Sequence, residues 1–166
     1  MSAPLIVVTG VSGAGKTTIG QRLAQRLAVP YAEADDFHSP QNVAKMRAGV
    51  PLDDEDRRPW LDAIAAWLTE HAGRGGVVTC SALKRGYRDR LAAVSPDVFF
   101  LHLDGSAELI AGRLAARKGH FMPTSLLRSQ IDALEPLEDD ESGVAIPIDG
   151  TPEETVALAY AAVRER

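Results

Sequence analysis

Short apolar runs alternate along this chain with stretches that carry helical spacing. Leu5–Thr9 is apolar at every position but its last, the pattern of a strand buried on both faces of a parallel sheet. Val77–Cys80, Val98–Leu103 and Val144–Ile148 repeat it, and Pro30–Ala34 predicts a shorter strand. Between them, Ile19, Leu23 and Leu27 recur at every fourth position. Trp60, Ile64, Trp67 and Leu68 mark a second helical face, and Leu109 and Leu114 a third. Thr151-Pro152-Glu153-Glu154 predicts an N-cap, a proline at the first helical position and acids in the first turn. Val156, Tyr160 and Val163 then carry that last helix.

This alternation predicts an α/β fold of three layers, with five parallel strands covered by helices on both faces. Right-handed crossovers put every strand C-terminus on one edge, where ligands bind. Two stretches interrupt the pattern. One, about 36–59, is polar, charged and bounded by proline. The other, 118–143, holds Lys118, Gly119, His120, several acids and two prolines. An acceptor-binding segment and a lid are expected there, within one domain spanning 1–166.

Composition narrows the partners. A length of 166 residues suits one domain, and 5% aromatic content calls for an aliphatic core. A net charge of −5 lacks the basic field of a nucleic-acid binder, so none is expected as a partner. Cys80 is the single cysteine and can form no internal disulfide. No apolar run approaches the ~20 residues of a membrane span, and no signal peptide is recognisable. No membrane association and a cytoplasmic location are the expectation.

Gly10-Val11-Ser12-Gly13-Ala14-Gly15-Lys16-Thr17 is a complete G-x-x-x-x-G-K-[ST] loop, lying between a predicted strand and a predicted helix. Gly10, Gly13 and Gly15 let the backbone curl, and the amides from Ser12 and Ala14 through Thr17 and Thr18 can face phosphate. Lys16 brings a full charge to the β- and γ-phosphates of ATP, and the Thr17 hydroxyl is suited to Mg²⁺. No N-K-x-D guanine reader is present, which argues against a GTPase switch.

Asp35, Asp36 and His38 follow the second strand at the ligand edge. A carboxylate there can orient an acceptor hydroxyl, take its proton, or hold Mg²⁺ through water. Asp35, nearest the strand end, is the favoured base; His38 fits a substrate hydrogen-bonder better, though it could serve as the base. Lys45, Arg57, Lys84 and Arg88 offer cations for an anionic acceptor. Ser81–Lys84 forms a strand-to-helix turn that can present amides and Lys84. Arg113 and Arg117, four apart, can clamp the nucleotide or stabilise transferring charge, with Lys118 and His120 as weaker candidates.

The stretch Asp35-Asp36-Phe37-His38 to Asn42, Lys45 and Met46, then Gly49-Val50-Pro51-Leu52, Asp54, Asp56-Arg57 and Pro59-Trp60-Leu61, closely resembles the gluconate kinase family. The resemblance continues at Ser81-Ala82-Leu83-Lys84, Tyr87-Arg88-Asp89, Gly119-His120-Phe121-Met122, Ser129-Gln130 and Leu134-Glu135. With the phosphate loop it covers nearly the whole chain. It implies ATP-dependent phosphorylation of D-gluconate at its 6-hydroxyl and a P-loop kinase fold of the adenylate and shikimate kinase type. It further implies a homodimer, and adds Gln130, Ser81 and His120 to the acceptor-site candidates.

Overall fold

The structure, a computed structural model, describes residues 3–116 and 124–166. Five parallel strands form one sheet: β1 (Leu5–Thr9), β2 (Tyr31–Glu33), β3 (Gly76–Thr79), β4 (Val98–Asp104) and β5 (Gly143–Pro147). Their order is β2-β3-β1-β4-β5, so β1 is central and the phosphate loop leaves the middle of the edge. Leu5 registers with Gly76 on one side and Val98 on the other. All five predicted strands are present, each within about a residue of its predicted position, since ends of elements blur by that much.

Alternation along β1 sorts the core into two layers. Ile6 and Val8 face a cluster with Ile19 and Leu23 of α1 (Lys16–Leu27) and Val156 and Val163 of α7 (Pro152–Glu165). Leu5 and Val7 face the other cluster, with Trp60, Ile64 and Leu68 of α3 (Asp54–His71) and Leu91 of α4 (Arg85–Ala92). The Thr151 side chain accepts from the Glu154 amide and the Glu154 side chain returns to Thr151, the predicted cap in its reciprocal form. Among the described residues no helix is long and apolar enough to cross a membrane.

The two interrupting segments hold more helix than their polarity suggests. A single 3-10 turn, Ala34–Phe37, leads into α2 (Pro40–Arg47), capped by Ser39. Helix α3 starts at Asp54, well before its apolar face begins, because Asp53 and Asp56 form a capping box. Pro59 therefore lies inside the helix and leaves one intrahelical bond unmade. Helix α5 (Ala107–Ala116) precedes the second segment, and α6 (Thr124–Ala133) lies within it.

Arg88 corrects an expectation. It was a candidate acceptor cation, yet it is 2% exposed and committed to structure. Nε and Nη2 grip both oxygens of Glu141 at 2.6 and 3.0 Å. Nη1 donates to the carbonyls of Ala82 and Leu83, each at 3.2 Å, and Nη2 also reaches the Pro136 carbonyl at 3.3 Å. All the guanidinium's N–H donors are thereby used. Ala82 sits at φ 39, a left-handed conformation costly for a residue with a Cβ, and Arg88 secures that turn. Arg85 adds more exposed pairs to Glu138 and Asp140 on the same strap of chain.

Burial raises the Glu141 pKa, but the Arg88 hydrogen bond and the Glu138 amide more than offset it, so the carboxyl titrates below its ordinary value. A depressed carboxyl stabilises the fold above its unfolded pKa and loses that contribution as pH falls through the folded one. Removing one partner of a buried pair strands the other, so Arg88→Ala is expected to cost roughly 3–5 kcal/mol in denaturant unfolding. Stability should fall as pH drops below the ordinary glutamate range, and Glu141→Gln should flatten that part of the profile.

Candidate active site

The phosphate loop turns on its glycines. Gly10, Gly13 and Gly15 have φ of 148°, 86° and 98°. Gly13 is doubly constrained, since a Cβ there would lie 2.7 Å from Leu114 Cγ on α5. Lys16 begins α1 and folds back over the loop, donating to the Gly10 and Val11 carbonyls at 2.8 and 3.1 Å. Burial lowers its pKa, opposed chiefly by the charge of Asp35 and less by that of Glu33.

A cavity of about 430 Å³ opens beside Lys16, and Ser12, Thr17, Asp35, His38, Arg57, Ser81, Lys84 and Gln130 also line it. The sheet order explains the meeting. The loops after β1, β2 and β3 emerge side by side, bringing the phosphate loop and the residues that follow β2 and β3 to one space. Burial lowers the His38 pKa, Asp35 opposing and Arg57 reinforcing, which favours a neutral ring near neutral pH. Cys80 also lines the cavity, but burial pushes its thiol up to about 12, so it is inert as a nucleophile.

Glu33 is a residue that sequence reasoning missed. Its Oε1 accepts from the Thr17 hydroxyl and, at 2.6 Å, from the Tyr31 hydroxyl. Burial and the Glu33 bond raise the Tyr31 pKa, which keeps the phenol a donor. Gly20 makes room for it, because a Cβ there would lie 2.8 Å from the Tyr31 ring. The available signal was position: Glu33 is the last residue of β2, at the ligand edge.

The remaining candidates divide. Arg57 donates to the Tyr87 hydroxyl at 3.3 Å, and Lys84 pairs with Asp54 at 3.2 Å, so both cations are held at the rim of the cavity. Lys45 is a second correction. Its ammonium holds both Asp56 oxygens, at 2.9 and 3.0 Å, and ties α2 to α3 instead of lining the cavity. Arg113 donates to the Ile148 carbonyl and reaches that of Gly150 at 3.5 Å. It thus braces the turn after β5 and does not line the cavity. Gln130 contacts the phosphate loop itself: Oε1 accepts from the Ser12 amide at 2.7 Å and Nε2 donates to its hydroxyl at 3.1 Å. Thr18 is exposed on α1 outside the cavity lining. Arg117, Lys118, Gly119 and His120 lie outside the described residues.

The family model described as Shikimate kinase matches residues 12–158. The gluconokinase of Gluconobacter oxydans is 50% identical over 143 residues, covering 85% of this chain and 80% of that protein. The thermosensitive gluconokinase of Escherichia coli is 44% identical over 146 residues, covering 87% and 78%. The chain belongs to the gluconokinase family. A crystal structure of a gluconokinase from Sinorhizobium meliloti agrees, with a TM-score of 0.92 at 42% identity over 98% of this chain and 92% of that one. Membership makes this gluconokinase-family chain an enzyme with a nucleotide-binding P-loop, the fold into which its strands and phosphate loop assemble.

Gly13→Ala is expected to lose roughly 1–3 kcal/mol of stability, from strain at positive φ and from overpacking. A double-mutant cycle with Leu114→Ala separates the two. Coupling above ~0.5 kcal/mol means steric contact with Leu114 matters, whereas additivity leaves φ alone as the cause.

Proposed function

We propose that this protein transfers the γ-phosphoryl group of ATP to the 6-hydroxyl of D-gluconate, giving 6-phospho-D-gluconate. One observation carries the reading: Lys16 and Thr17 of the nucleotide loop share a cavity with Asp35, His38, Arg57 and Lys84, in a chain of the gluconokinase family. Lys16 would leave its loop carbonyls for the β- and γ-phosphates, exchanging neutral acceptors for charged ones. Asp35 would orient the hydroxyl and accept its proton, while Arg57 and Lys84 attract the carboxylate. Closure over the cavity would exclude water from the phosphoryl group.

The donor set fits Mg²⁺. Thr17 and Glu33 present oxygens in mutual contact, with Asp35 on the same cavity. Among the described residues no cluster of three or more His, Cys, Asp or Glu forms a metal cage, which suits an ion that keeps water and phosphate in its shell. Thr17 would ligate it directly, Glu33 and Asp35 through water, and the bound ion supplies neutralising charge to the phosphate oxygens. The resemblance also leads us to a homodimer, which sedimentation would test.

The deciding assay offers purified protein MgATP with gluconate, shikimate, other sugar acids and nucleoside monophosphates. Phosphorylation of gluconate well above the others is expected, and no such preference would overturn the assignment. Lys16→Ala and Asp35→Asn should each lower kcat by ~10²-fold or more. Near-full kcat in Asp35→Asn would remove the base. For Arg117→Ala the loss should fall on kcat more than on gluconate KM; the opposite split would move Arg117 to the acceptor side.

A further inference from the structure

Asn42 is 5% exposed and does not line the cavity, yet it contacts His38, which does. Its side-chain nitrogen donates to the Asp56 backbone carbonyl at 2.7 Å. A carbonyl only accepts, so the nitrogen end of the amide, not the oxygen, must face it. The same nitrogen lies 3.4 Å from His38 Nδ1. It has hydrogens to give and no lone pair to offer. Nδ1 must therefore be the accepting nitrogen, and the proton of a neutral ring sits on Nε2.

The ring has little freedom to escape this. It stacks on Trp60 with centroids 4.6 Å apart and planes 4° from parallel. Trp60 is 3% exposed and fixed by its Nε1 donating to the Ala34 carbonyl at 2.7 Å. A flip of the imidazole would set a carbon against the amide and forfeit the bond. Asn42 is equally held: its backbone amide donates to the Ser39 hydroxyl at 3.2 Å, and Lys45 clamps α2 onto α3 through Asp56. Nε2 has no partner among the described residues, and His38 lines the cavity beside Asp35.

We propose that Asn42 is a positioning residue that locks His38 with its proton on Nε2, so that His38 meets the acceptor as a hydrogen-bond donor. The proposal rests on the reading of this cavity as the acceptor site. It also separates the roles of the two candidate bases. The proton of the attacking hydroxyl goes to the Asp35 carboxylate as the new oxygen–phosphorus bond forms. The bond from the γ-phosphorus to its bridging oxygen breaks, and its electron pair leaves with ADP. His38 binds and orients, and carries no proton away.

The test is a long-range proton–nitrogen NMR spectrum of the ¹⁵N-labelled full chain without ligand, with the His38 signals identified by their loss in His38→Gln. A single Nε2–H tautomer is expected in the wild type. A dominant Nδ1–H form there overturns the proposal before any variant is made. Asn42→Ala should mix the tautomers and raise acceptor KM several-fold more than it lowers kcat; an unchanged tautomer in this variant also overturns it. His38→Gln keeps an N–H donor and should retain kcat within about tenfold. A loss as deep as that of Asp35→Asn would instead make His38 the base. The NMR result stands whichever acid the protein phosphorylates, so failure of the gluconate assignment and failure of the tautomer lock are distinguishable.

Discussion

The geometry of the turn after β3 hangs on one buried guanidinium. Arg88 sits where α4 passes beneath the turn after β3, and its donors are shared between that turn, the Pro136 carbonyl and Glu141. The turn contains Ala82 in a left-handed conformation, flanked by Ser81 and Lys84 on the cavity. The strap from Pro136 to Glu141 follows α6, whose Gln130 touches Ser12 of the phosphate loop. Glu135 joins the same system, its amide donating to the Leu83 carbonyl at 2.8 Å and its carboxylate receiving the Arg85 amide. A charge buried this deeply is costly in isolation, and its full set of partners is what makes it tolerable. The phosphate loop, the turn after β3 and α6 thus share one polar framework.

Around that framework the ionisable groups are divided by what they touch. Lys45 and Arg88 are spent on carboxylates of the scaffold, Lys16 and Arg57 keep their charge at the cavity, and Lys84 lines it while paired with Asp54. The carboxylates divide similarly. Asp53 and Asp56 cap α3, Glu141 is locked to Arg88, and Glu33 and Asp35 remain at the strand ends. Aromatic rings set the walls: Trp60 fixes His38, and Tyr87 receives Arg57 while donating to Asp54.

What could be read in the sequence follows from what each feature depends on. The strands and the phosphate loop were legible because their signals are local: continuous apolar runs, and glycines at set intervals before Lys16. The start of α3 was not, because its apolar face begins at Trp60 while a capping box of aspartates carries its first turns. Helix α6 was hidden because its few apolar positions lie in a stretch rich in charge and proline. Arg88 and Arg57 look alike as letters. One is buried by Glu141, which lies 53 positions away, and the other faces the cavity. Glu33 looked like a strand residue until Thr17 and Tyr31 were seen to converge on it.

The central place of β1 also bears on how the molecule assembles during synthesis. Its neighbours in the sheet are β3 and β4, so Leu5 waits for Gly76 and Val98, and Thr9 for His102. The Thr9 hydroxyl is held at 3.1 Å by the buried His102 ring, at the root of the phosphate loop. Contacts of such sequence separation close slowly, after the entropy of a long intervening chain has been overcome. A nascent chain that already contains the whole glycine loop therefore still lacks the walls that shape it. The loop's final shape therefore depends on distant partners, and a ligand that binds only the finished loop favours the folded chain by mass action.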